Sequence, residues 1–118
     1  MAGVSLKRLE SLSLRELALI LQNDTKDRKL RNVTITEIRI TNDLSYMTIF
    51  YTCFFKGERK QVSEALEHSK GYLRMELAKK IKARKMPELI FKYDEALEYG
   101  NHMNEVISSL NIKHDEEA

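Results

Sequence analysis

The chain has 118 residues, with 20 Lys and Arg against 18 Asp and Glu, a formal net charge of +2. Apolar residues make up 42%, too many for a disordered chain, yet no apolar run approaches the ~20 residues that span a bilayer. The length suits one soluble globular domain, and the lone Cys53 excludes both an intrachain disulfide and a thiol-rich metal site.

The N-terminal MAGVSLKRLESLSL breaks its apolar residues with charges, so no secretory apolar region is expected and a cytoplasmic location is. A helix is predicted from about Leu6 to Asn23. Leu6, Leu9, Leu17, Ile20 and Leu21 recur at helical spacing, Arg8 and Arg15 point the other way, and Ser5 is placed to cap. Asp24–Arg31 (DTKDRKLR) is predicted as a polar connection carrying four basic residues. The period then changes. Val33–Thr41 is rich in β-branched residues, which suit a strand, but Val33 and Ile35 differ in parity from Ile38 and Ile40. A bulge near Thr36–Glu37 would bring both pairs to one face. Asn42–Ser45 is a predicted turn, and Tyr46–Phe55 a second, antiparallel strand with Met47, Ile49, Tyr51 and Cys53 on one face.

Lys56–Lys60 is a predicted loop. Helical character runs from about Gln61 to Ala83, with Val62, Leu66, Leu73, Leu77 and Ile81 as its apolar stripe. Ser69 and Gly71 are weak helix formers in its middle, and Gly costs ~1 kcal/mol against Ala, so a kink or break into two helices is expected there. Such a break would leave backbone N–H groups open to a phosphate. Pro87 suits the start of a third strand, where Leu89, Phe91 and Tyr93 alternate with Ile90 and Lys92. A tail helix from about Glu95 to Leu110 would carry Ala96, Tyr99, Met103, Val106 and Ile107 on one face, with residues 111–118 as a flexible acidic tail. The expected architecture is α+β, a three-stranded sheet with helices on one face, in a single domain over residues 1–110.

Catalytic signals are weak. No G-x-S-x-G, P-loop, G-x-G-x-x-G or H-E-x-x-H motif occurs. Glu98, His102 and Glu105 can share a helix face and bind a metal, but such faces are usually just solvated. Cys53 reads as a buried inert thiol. Basic residues are the richer pattern. Lys79–Lys85 (KKIKARK) holds five positive charges, and Tyr72, Met75, Lys79 and Lys82 lie opposite the apolar stripe. A face that joins cations to an aromatic ring suits RNA. Positive charge at a helix C-terminus also complements the helix dipole, although five charges exceed what a cap requires.

The order helix, two strands, Gly-containing helix pair and strand resembles a type II KH domain, an RNA-binding class whose helix junction usually carries G-x-x-G. That motif is missing here. The chain more specifically resembles the ribosome-binding factor A family, KH-like proteins in which an A-x-G kink replaces it. The stretches that carry the resemblance are VTITEIRIT, NDLSYMTIFY and GYLRMELAKKIKARKMPELIFKYDEALEYG. Ser69-Lys70-Gly71 stands where the family has A-x-G, and serine is small enough to keep a kink.

The resemblance implies a monomeric, non-enzymatic assembly factor without cofactor, metal, membrane or small-molecule substrate. Its partner would be the maturing small (30S) ribosomal subunit and its 16S rRNA, whose late folding and processing near the 5′-terminal helix it would assist. The RNA-binding residues expected are Lys70, Arg74, Lys79, Lys80, Lys82, Arg84 and Lys85. Arg28, Lys29, Arg31, Arg8 and Arg15 are secondary candidates. The alternative is a protein–protein adaptor that docks through the tail helix. The near-neutral total hides a polarity: residues 1–92 carry 19 basic and 11 acidic side chains, residues 93–118 one and seven. A basic body suits an rRNA surface.

Overall fold

A computed structural model describes residues 5–23 and 25–97. Helix α1 spans Leu6–Asn23, a four-residue helix α2 spans Arg28–Arg31, strand β1 Val33–Ile40 and strand β2 Tyr46–Cys53. Helix α3 follows over Arg59–Ile81, and strand β3 over Glu88–Tyr93. The sheet order is β1-β2-β3, with β1 and β2 antiparallel and β2 and β3 parallel. A parallel neighbour cannot be reached by a tight turn, and α3 supplies the crossover. One face of the sheet buries Ile35, Ile38, Ile40, Met47, Ile49, Tyr51 and Leu89 against α1 and α3. The α+β architecture with helices on one face is the expected one.

Helix α1 begins where expected, and Ser5 Oγ accepts from the Arg8 backbone N–H at 3.2 Å. Leu9, Leu17, Ile20 and Leu21 are buried, together with Ser13. Glu10 reaches from α1 to the sheet edge, where its carboxylate accepts from the Ile40 N–H at 2.7 Å.

The bulge in β1 lies where parity required it. Ile35 pairs with Tyr51, but Glu37 pairs with Phe50, so Thr36 is the extra residue. It changes the phase of the strand, so Ile35 and Ile38 are both buried. The Thr36 hydroxyl contacts the Phe50 carbonyl at 3.3 Å and the Asp94 carboxylate at 2.5 Å. The hairpin turn is held by polar side chains. Leu44 adopts a left-handed φ of 61°. Asp43 accepts from the Thr41 hydroxyl at 2.9 Å and the Ser45 N–H at 3.0 Å. Hydrogen bonds from Ser45 and then Thr41 hold the Asp43 carboxyl below its ordinary range.

Three expectations change. Helix α3 is helical without interruption through Ser69, Lys70 and Gly71, so the break into two helices and its open backbone N–H groups are not there. Val62, Leu66, Leu73, Leu77 and Ile81 follow at steps of four, seven, four and four, which keeps one stripe in phase along an unbroken helix. Burial of that stripe outweighs the ~1 kcal/mol intrinsic cost of Gly71. The polar connection before β1 is partly helical. Asp27 caps α2 by accepting from the Lys29 N–H at 2.9 Å, and Leu30 is buried. Strand β2 ends at Cys53, two residues early, and a 3-10 turn at Lys56–Glu58 replaces most of the predicted loop. The tail helix beyond Leu97 and the boundary at residue 110 lie outside the described residues.

Candidate nucleic-acid interface

The basic residues gather around the second half of α3. Residues 68–85 hold seven Lys or Arg and one acidic residue, Glu76. Helical geometry puts His68, Tyr72, Met75 and Lys79 on one stripe, opposite the buried Leu73 and Leu77. Tyr72 and Met75 are both exposed. The stripe leads into Lys82, which ends the helix in the left-handed region with φ 48°. Its reversal turns Arg84 and Lys85 into the link before β3, both exposed. Lys85 Nζ lies 3.5 Å from Ser45 Oγ, so the cationic end of α3 reaches the β1–β2 turn.

Helix α2 extends the same surface. An open groove of about 440 Å³ between α2 and α3 is lined by Thr25, Lys26, Asp27, Leu30, His68, Ser69 and Tyr72. Arg28, Lys29 and Arg31 are exposed on α2, whose Asp27 and Leu30 line that groove, and a terminal nitrogen of Arg31 donates to the Thr25 carbonyl at 3.3 Å. Sequence reasoning missed this juxtaposition, because its anchor is the single apolar Leu30 among charges. Lys26, in the same groove, was also missed.

Not every expected residue presents an available charge. Arg74 donates through Nε to the Pro87 carbonyl at 3.0 Å and through a terminal nitrogen to the Met86 carbonyl at 2.7 Å. It ties α3 to the entry of β3. Lys70 pairs with Glu67 at 2.8 Å and lies 6.0 Å from the Phe91 ring, so it leans toward the sheet. Lys79 pairs with Glu76 at 2.9 Å but stays exposed, and a surface pair of this kind is worth under about 1 kcal/mol and yields to a phosphate. Lys80 is exposed on the flank of the stripe, while Arg8 and Arg15 are exposed on α1. Gly71 faces open space. We expect Arg74→Ala to lower the thermal midpoint by several degrees, since two charge-assisted hydrogen bonds are worth roughly 1–3 kcal/mol each before solvent discounts them. An unchanged midpoint with weakened RNA binding would make Arg74 a contact residue instead.

The other chemistry is quiet. Cys53 is buried, and its Sγ donates to the Phe55 carbonyl at 3.3 Å. Among the described residues, no three His, Cys, Asp or Glu side chains are grouped to hold a metal ion. Glu98, His102 and Glu105 lie outside them, as do Tyr99, Met103, Val106 and Ile107 of the adaptor face. No helix among the described residues is long and apolar enough to cross a membrane.

A mixed three-stranded sheet with its helices on one face and a basic crossover helix defines a KH-like α+β protein. The sequence model of the family described as "Ribosome-binding factor A" matches residues 5–107. The ribosome-binding factor A of Neisseria meningitidis serogroup C is 42% identical over 103 residues, covering 87% of this chain and 84% of the relative. The crystal structure of ribosome-binding factor A from Thermus thermophilus superposes with a TM-score of 0.69 at 24% identity, covering 76% of this chain and 97% of that one. Coordinates of the Thermus thermophilus factor fitted into a cryo-EM map of a 30S complex superpose with a TM-score of 0.62 at 27% identity, covering 75% and 93%. This chain belongs to the ribosome-binding factor A family.

Proposed function

We propose that this chain binds the maturing small ribosomal subunit through its 16S rRNA, as a cytoplasmic binding protein and not a catalyst. The observation that carries this reading is the exposed surface of α3 and α2. It places cations at both ends of an aromatic and apolar stripe about 20 Å long, from His68 to Lys82 at 1.5 Å per residue. Family membership supports the ribosome as partner, and the Thermus thermophilus factor fitted in a 30S complex supports the small subunit. Lysine and arginine contacts to phosphate fix position without reading bases. Specificity then follows from the shape of the folded rRNA. On this reading the factor assists late folding and processing of 16S rRNA near its 5′-terminal helix by occupying that shape, and no bond-making residue is required.

Salt dependence tests this directly. Affinity for purified small subunits should fall steeply as potassium chloride rises, with a log–log slope of several units, because each neutralised phosphate releases counterions. A nearly flat dependence would point to apolar docking on a ribosomal protein.

A further inference from the structure

A second aromatic and cationic surface lies at the other end of α3. Strand β2 ends at Cys53, and the chain enters α3 through Phe54–Glu58. Phe54 is 77% exposed, the most exposed large apolar side chain among the described residues, and Phe55 is 51% exposed. Their rings meet edge to face at 4.8 Å. The backbone beneath them is fixed. The Phe54 N–H donates to the Asn32 carbonyl at 3.1 Å, and the Phe55 carbonyl accepts from Cys53 Sγ at 3.3 Å and the Glu58 N–H at 3.0 Å. The backbone of the pair is thus anchored, and both rings stand in solvent.

Its surroundings are cationic. Residues 54–61 carry Lys56, Arg59 and Lys60 against the single acid Glu58. The chain that follows the pair borders an open groove of about 710 Å³, lined by Tyr51, Lys56, Arg59, Lys60, Phe91 and Tyr93 among others. The Arg59 guanidinium lies 4.0 Å from the Tyr93 ring centroid and pairs with Glu95 at 2.6 Å, closing one side of that groove. Burial raises the pKa of the Tyr51 phenol. A partner that docks by apolar contact alone gains nothing from these cations. A nucleic-acid strand uses both, since every base has a π-face and every linkage a phosphate.

We propose that Phe54 is a stacking platform for an unpaired RNA base, with Lys56 and Lys60 supplying positive charge for the flanking phosphates. The inference rests on the RNA-binding reading above but concerns a separate foothold. The 23 residues of α3 rise about 35 Å, which sets Phe54 well away from the Lys79–Lys85 cluster. The cluster grips backbone of any kind; Phe54 adds a preference for single strands.

The test uses the full chain, a fluorescent single-stranded 12-nucleotide RNA and the same strand in a blunt duplex, read by anisotropy. Phe54→Ala should weaken single-strand binding about tenfold, the size expected for one lost base stack, and leave duplex binding within about twofold. Phe54→Trp should restore the affinity, and Phe54→Leu should not. Equal single-strand binding by the Ala variant, rescue by Leu, or equal loss on the duplex would each overturn the proposal. So would a Phe54-dependent dimer in sedimentation, which would make a second copy the occupant. If Phe54→Ala is silent while charge reversal at Lys79, Lys82 and Lys85 abolishes subunit binding, the stacking site fails and the broader function stands. If both are silent, the RNA-binding reading fails as well.

Discussion

Changing Lys79, Lys82 and Lys85 together to Glu is expected to lower affinity for small ribosomal subunits at least a hundredfold. All three side chains are exposed, and none supports the core. Lys79 loses a surface pair with Glu76, and Lys85 a 3.5 Å contact to Ser45 and a weak attraction to the exposed Asp43 carboxylate. The swap removes three cations and adds three anions on one surface, so attraction to phosphate becomes repulsion. Lys82 needs a residue that tolerates φ 48°, and Glu bears that backbone about as well as Lys does. The thermal midpoint should stay within a few degrees of wild type. Unchanged subunit binding at native stability would remove these lysines from the interface.

The largest loss of stability is expected from Leu17→Ala. Leu17 is fully buried in α1 and belongs to the cluster that joins α1 to α3 and the sheet. Its truncation removes a transfer contribution and leaves a cavity, together about 2–5 kcal/mol. For a domain of this size the thermal midpoint should fall by roughly 10–20 °C or more, as read by circular dichroism. At low temperature the residual folded protein should bind subunits with near-native affinity, because the basic surface lies on α3 and α2. A drop of only a degree or two would mean that the α1 core is loosely packed.

These two variants separate what the sequence made legible from what it did not. Helix α1 was legible to its ends, because four buried apolar residues and Ser5 mark its stripe and its cap. Ser13 is buried on the same helix, but its hydroxyl hides it from a hydrophobic count. The bulge at Thr36 was legible because Ile35 and Ile38 had to reach the same side. Of the kink or break expected near Gly71, the break is absent for a physical reason. A local penalty of ~1 kcal/mol stands against a stripe that stays in phase through residue 81, and packing prevails over propensity in such cases.

The candidate interface was legible as composition but not as geometry. KKIKARK and Tyr72 announced a basic, partly aromatic helix end. Nothing local indicated that Arg74 bonds the carbonyls of Met86 and Pro87, twelve and thirteen residues on, since that contact exists only once the chain has reversed at Lys82. Likewise, α2 joins the face because Leu30 inserts beside α3, a long-range event with no periodic signal. Phe54 and Phe55 read as strand residues. Strand β2 ends at Cys53, before both of them, and both stand in solvent.

Crosslinking the full chain to maturing small subunits and mapping both partners tests the central claim most directly. Crosslinks to 16S rRNA are expected from residues 68–85 of α3 and its exit and from Arg28–Arg31 of α2. Crosslinks confined to ribosomal proteins, or absent from both of these segments, would contradict it.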